Sequence, residues 1–241
     1  MRNRGNCLIL FCCVLFMILV PVQARTQEEA VLFRENFTDL KKWNEVFFPK
    51  IPAHTTYSIQ TEHKDSFLKA RSASSASLLV YREPFDVYEF PKVRWRWKVE
   101  NIYARGDATR KDGDDYPIRI YIAFEYDPSR AGFIQKAQYS AIRLIYGEYP
   151  PERSLNYVWS STEQAERILP SPYTDRSMMV LLEQGDANVG KWITYEVDIL
   201  EDYSRAFGTS PPRVATIGIM NDSDNTGEES TSWVDFIMVY R

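Results

Sequence analysis

Residues 25–241 of this chain contain no cysteine, because Cys7, Cys12 and Cys13 are the three in the sequence. That absence removes disulfides, thiolate metal sites and a cysteine nucleophile from the main body of the chain. Histidine is nearly as scarce. His54 and His63 stand in polar segments with no diagnostic nucleophile motif nearby, so neither a Ser-His triad nor a zinc site is indicated. Positive charge is not in excess. Residues 25–241 carry 27 Lys and Arg against 33 Asp and Glu, a net charge of −6, which argues against nucleic acid as the main partner. Beyond the first 24 residues no apolar run reaches membrane-spanning length, so no stable membrane span is expected. Repeats, low-complexity tracts and a splitting linker are also lacking, and a single domain is expected over 25–241.

The first 24 residues read as a secretory signal peptide. Arg2 and Arg4 precede the uncharged apolar run Leu8 to Val20, and Pro21 precedes the small-residue cleavage site Val22-Gln23-Ala24. Cys12 and Cys13 lie inside the apolar run, without the small residue that precedes a lipidated cysteine. The expectation is therefore an exported protein, periplasmic or secreted. Its mature chain of 217 residues is long enough to stand on its own core without disulfides.

What the chain has is short alternating segments. In Val93-Arg94-Trp95-Arg96-Trp97-Lys98-Val99-Glu100, the valines and tryptophans fall on one face and the charges on the other, as in a strand with one buried side. That phase makes Trp95 and Trp97 core residues and leaves the arginines outside. Similar segments are expected at 31–37, 57–62, 67–71, 77–81, 85–87, 118–125, 157–159, 178–184, 190–199, 213–220 and 232–240. Met178 to Gln184, almost wholly apolar, reads as a central strand covered on both sides. Asp127-Pro128-Ser129, apolar spacings of three and four, and Gly147 predict one substantial helix over 130–146. Residues 200–207 predict one or two further helical turns. Many short strands without a βαβ rhythm predict a mainly β protein, a β-sandwich.

Three constellations could carry function. If strands 93–100, 118–125 and 192–199 share a sheet, their outward residues converge: Arg94, Arg96, Arg119, Tyr121, Glu125, Glu196 and Asp198, with Lys98 and Trp192 beside them. Guanidinium forks and aromatic faces suit a polar ligand such as a sugar or carboxylated sugar, whereas plain cross-strand salt bridges are the structural alternative. Asp222, Asp224 and Thr226 with Gly227 mimic the first half of a calcium loop, with Asp112, Asp114 or Asp115 as further ligands. Trp233 stands where an EF-hand would place its bidentate Glu, so any calcium site is of another kind, and an Asx-rich turn explains the same residues without an ion. Glu196 and Asp198 fall on one strand face, as in sandwich glycosidases, but Leu200 replaces the third carboxylate of that pattern. Glu125 is the remaining partner for an acid/base pair with Glu196.

The blocks Arg94-Trp95-Arg96-Trp97-Lys98, Gly113-Asp114-Asp115-Tyr116-Pro117-Ile118-Arg119, Gly190-Lys191-Trp192, Asp202-Tyr203 with Phe207-Gly208, and Ile219 to Gly227 resemble a bacterial family of exported proteins catalogued as a domain of unknown function. The resemblance spans the mature chain and implies no activity or catalytic residue. More loosely, Gly190-Lys191-Trp192 and the terminal Trp233-Val234-Asp235-Phe236-Ile237 resemble jelly-roll carbohydrate-binding modules and concanavalin-like sandwiches. That likeness implies a jelly-roll fold and a glycan or other polar small ligand. Polysaccharide hydrolysis or elimination, and a structural role in the cell envelope, are the alternatives.

Overall fold

The computed structural model describes residues 30–129, 131–133, 136, 139–140 and 150–241. The expected signal peptide, residues 1–24, lies outside them, as does most of the helix expected over 130–146. Within that stretch the described Phe133, Lys136, Tyr139 and Ser140 are helical.

The strands are β1 (Val31–Glu35), β2 (Trp43–Phe47), β3 (Thr56–Glu62), β4 (Asp65–Ala73), β5 (Ser77–Tyr81), β6 (Phe85–Asp86), β7 (Lys92–Val99), β8 (Arg119–Phe124), β9 (Arg153–Ser160), β10 (Ile168–Ser171), β11 (Thr174–Gln184), β12 (Ile193–Asp198), β13 (Val214–Met220) and β14 (Glu229–Tyr240). One helix, α1 (Ile199–Phe207), follows β12. A first sheet runs β12-β7-β14-β4-β3, with β1 also on β14. A second runs β10-β11-β9-β8-β13-β5-β2, with β6 also on β13. The pairs are antiparallel except β9 and β11. The two sheets form a β-sandwich. Among the described residues no helix is long and apolar enough to cross a membrane.

The core between the sheets is aromatic. Trp95 and Trp97 are fully buried and meet edge to face at 5.4 Å. Across the core they meet Tyr157 at 5.3 Å and Trp159 at 6.3 Å, both from β9 of the second sheet. Burying about 150–250 Å² per ring at about 25 cal/mol/Å² gives each tryptophan about 4–6 kcal/mol of transfer free energy. These two rings therefore tie the first sheet to the second, and the alternation of β7 follows from their burial.

A smaller apolar cluster sits on the far side of the second sheet. Val158, Met179 and Leu181 point outward there and are covered by Ala108 and Tyr116 from the connection between β7 and β8. β11 is thus covered on both faces, Val180 toward the main core and its neighbours toward this cluster. The covering connection is held at close quarters. A Cβ on Gly113 would lie 2.7 Å from the Asp107 nitrogen, so only glycine fits that crossing.

Strand pairing corrects one expectation. β7 and β12 do share a sheet, with Glu196 opposite Arg94, but β8 belongs to the other sheet, between β9 and β13. Ile120, Ile122 and Phe124 face the same core from the opposite side. Alternation shows which residues point inward; it does not show from which of two sheets.

Candidate functional site

Outside the core, the first sheet presents a ladder of cations on aromatic rings. The Arg94 guanidinium lies 4.8 Å from the Tyr240 ring centre, Arg96 lies 5.1 Å from Trp192, and Arg34 lies 3.9 Å from Phe236. The Lys98 ammonium sits between Trp192 at 4.9 Å and Trp233 at 4.3 Å. These rings are occupied by the protein's own cations, each contact contributing about 0.5–1 kcal/mol where exposed. Carboxylates complete the pattern. Arg94 donates from Nε at 2.8 Å and from Nη2 at 2.5 Å to Glu196 Oε2, and Arg96 Nη1 donates to Asp235 Oδ2 at 3.1 Å. The Tyr240 hydroxyl and Arg94 hold the Glu196 carboxyl below its ordinary value.

At the end of this ladder the surface is concave. A cleft of about 450 Å³ is lined by Arg34, Lys64 and Arg96 as donors, by Glu62, Asp65 and Asp235 as acceptors, and by Trp192 and Phe67. His63, in the turn between β3 and β4 with φ 56°, also reaches it. Asp235 arrives through a β-bulge, where the pairing of β14 with β7 slips between Val234 and Phe236. The slip turns Phe236 onto the same face as Arg96 and aims Asp235 at that guanidinium. One described hydrogen bond engages Arg96 through Nη1, and a guanidinium carries five N–H donors.

The loops after β13 and before β8 form a second polar centre, above the second sheet. Arg119 and Asp222 are an almost fully buried ion pair, Nε to Oδ1 at 2.9 Å with a further contact from Nη2 to Oδ2. Removing one member of such a pair costs about 3–5 kcal/mol, since the other is left charged in the interior. The Arg119 guanidinium lies 4.8 Å from the Tyr116 ring centre and 5.7 Å from that of Tyr121. Asp115 accepts the Thr226 N–H at 2.6 Å and the Asn225 side chain at 3.0 Å. One oxygen from each of Asp115, Asp222 and Asp224 lies within 4.8 Å of the other two. Burial pushes the Asp114 and Asp224 carboxyls up, with neighbouring carboxylates adding to the effect.

Next to this centre, Asn221 joins the two sheets. Fully buried, its Oδ1 accepts from Ser72 at 2.6 Å, Tyr103 at 3.1 Å and Ser230 at 3.1 Å, while Nδ2 donates to Ser232 Oγ at 3.1 Å and Ala70 O at 3.3 Å. Burial pushes the Tyr103 hydroxyl up to about 12.

The seven residues expected to converge therefore divide. Arg94, Arg96 and Glu196 share the outer face of the first sheet. Arg119 and Tyr121 stand on the outer face of the second, the former bound to Asp222 and the latter donating to Met220 Sδ at 3.6 Å. Glu125 is exposed just past β8, on that other sheet, so it is not brought beside Glu196 as an acid/base partner. Asp198 turns to the N-terminus of α1, where its Oδ1 accepts the N–H groups of Leu200 at 3.0 Å and Glu201 at 3.1 Å. The Thr226 hydroxyl accepts the Glu228 N–H at 3.4 Å, and its backbone positions Asp115. Asp112, exposed and paired with Arg110, stands outside the carboxylate cluster. Arg34, Phe67 and Asp235, which line the cleft, were not among the expected site residues. The adjacent apolar pair Phe236-Ile237 is the signal of the bulge that delivers Asp235.

A family model described as "Protein of unknown function (DUF3047)" matches residues 41–238. No curated protein matches the chain. Among solved structures, the chain is similar to a family 11 carbohydrate-binding module of the cellulosomal cellulase Lic26A-Cel5E of Clostridium thermocellum, at 12% identity over 88% of this chain and 93% of that one, with a TM-score of 0.44. It is also similar to a lectin from Bauhinia forficata in complex with GalNAc, at 12% identity over 88% and 97%, with a TM-score of 0.38. The neighbours are jelly-roll and concanavalin-like sandwiches, and the likeness is one of fold.

Proposed function

The chain belongs to that family of proteins of unknown function, and on its side chains alone we propose that it is an exported β-sandwich that binds a polar saccharide at the outer face of the first sheet. One observation carries the reading: the cleft lined by Arg34, Lys64 and Arg96 together with Glu62, Asp65 and Asp235, beside Trp192 and Phe67. A sugar offers hydroxyls that both donate and accept, and this lining supplies both complements. Its charges balance, three basic against three acidic side chains, which favours a hydroxyl-rich ligand over a polyanion. The exposed part of Trp192 provides an apolar edge for a sugar ring, and the rest of its face is held by Arg96 and Lys98. Arg94 and Glu196 neutralise each other and brace the strand pair from which Arg96 projects.

A glycan array carrying neutral and uronate oligosaccharides tests the reading, with wild type beside Arg96→Ala. The expected result is retention of a defined set of glycans by wild type and a loss of about tenfold or more in the variant, equivalent to the roughly 1.4 kcal/mol of one charge-assisted contact. Silence of both proteins, or equal binding by both, contradicts it.

A further inference from the structure

We propose that Asp115, Asp222 and Asp224 bind one calcium ion, with Asp114 as a fourth carboxylate, and that the ion locks the loop after β13 onto the loop before β8. The site is separate from the saccharide cleft, which lies on the first sheet, so either reading can fail alone. Three carboxylate oxygens within 4.8 Å of one another match the span across a cation that holds oxygen ligands at about 2.3–2.6 Å. The donor set is hard oxygen without histidine or cysteine, which suits calcium and not zinc.

A second observation points to a ligand. Asp114 is 5% exposed, yet its Oδ1 has no hydrogen-bond partner among the described residues. The neighbouring Tyr116 hydroxyl is likewise buried without a geometric partner among the described residues. Asp114 immediately precedes Asp115, and its backbone carbonyl accepts from Arg119 Nη2 at 3.3 Å, the same guanidinium that holds Asp222, so it stands at the edge of the cluster. A buried carboxylate oxygen without a donor is costly, and a cation beside it removes that cost.

The existing bonds leave room. Each carboxylate oxygen has two lone-pair sites. Asp222 Oδ2 receives one donor from Arg119 and Asp115 Oδ2 one from the Thr226 N–H, so each retains a site. Four carboxylates stand here near the Arg119 guanidinium, an excess of three negative charges if all are ionised, and a divalent ion offsets two of them. The Tyr173 hydroxyl, 2.6 Å from Asn225 Oδ1 and 3.0 Å from Lys111 O, shares its one proton between the same two loops from outside.

Calorimetric titration of the chelator-treated full chain with calcium chloride tests the proposal, with magnesium chloride as the control. One calcium per chain is expected, at a dissociation constant no weaker than about 1 mM, with much weaker binding of magnesium. Asp224→Asn is expected to weaken calcium binding by about tenfold or more, while Asp112→Asn leaves it unchanged. Absence of calcium binding at about ten times that concentration overturns the site, as does an Asp224→Asn protein that binds calcium like wild type. Should that variant not fold, the wild-type titration with and without calcium, followed also by melting temperature, decides the question.

Discussion

Glu196 shows what a single side chain contributes on the outer face of the first sheet. Its carboxyl is held below the ordinary value of 4.5, with the Tyr240 hydroxyl the largest cause and Arg94 adding a hydrogen bond and its charge. A carboxyl with a lowered folded value stabilises the fold fully above its unfolded value, and the contribution disappears as pH falls through the folded one. Because Glu196 is 43% exposed, solvent screening limits the effect to a few tenths to about 1 kcal/mol. Glu196→Gln is therefore expected to melt about 1–3 °C below wild type at neutral pH. That gap closes as the pH is lowered below about 4.5, and thermal melts between about pH 7 and pH 3 check it. A gap that persists unchanged at the acid end would mean that the ion pair contributes nothing and that packing alone separates the two proteins.

At the scale of elements, α1 is fastened at both ends. Asp198 caps its N-terminus, and Gly208 at φ 68° closes the other end by donating to the Ser204 carbonyl at 2.9 Å. Asp198→Ala is expected to cost about 1 kcal/mol, read as a lower midpoint in urea with an unchanged slope. A midpoint equal to that of wild type contradicts the capping role. This cap was legible in the sequence as Asp198 followed at the third helical position by Glu201, the pattern of a capping box. Period two through β12 instead suggested a carboxylate facing outward beside Glu196, because alternation carries no mark where a strand ends. β7 was fully legible, since four large apolar residues in phase have one way to be buried. β2 and β10 were not. β2 is an edge strand with four of its five residues exposed, and β10 carries Pro170 within four residues. The outward turn of Asp235 was hidden for a different reason, because a bulge changes the phase of a strand midway.

The whole molecule separates two polar systems by an aromatic core. The first sheet carries the cation ladder and the cleft, and the second carries the carboxylate-rich loops around Arg119. Residues from both were expected on one face, because a sandwich presents two outer surfaces whose strands look alike in sequence. Asn221 links the two sheets, bonding β4 and β14 from the end of β13. The sandwich and its core strands followed from the sequence, whereas the partition into sheets depended on long-range pairing that no local pattern encodes. Six tryptophans mark the parts: Trp43, Trp95, Trp97 and Trp159 are buried, while Trp192 and Trp233 are half-buried on the first sheet. Their indole N–H signals allow the most direct test of saccharide binding at the cleft, a two-dimensional NMR titration with a glycan retained on the array. The Trp192 indole signal is expected to shift and saturate together with backbone amides of 62–67 and 235, while the indole signals of Trp95, Trp97 and Trp159 stay in place. Saturating shifts confined to the second sheet or to the loop at 221–228, with Trp192 unmoved, would contradict it.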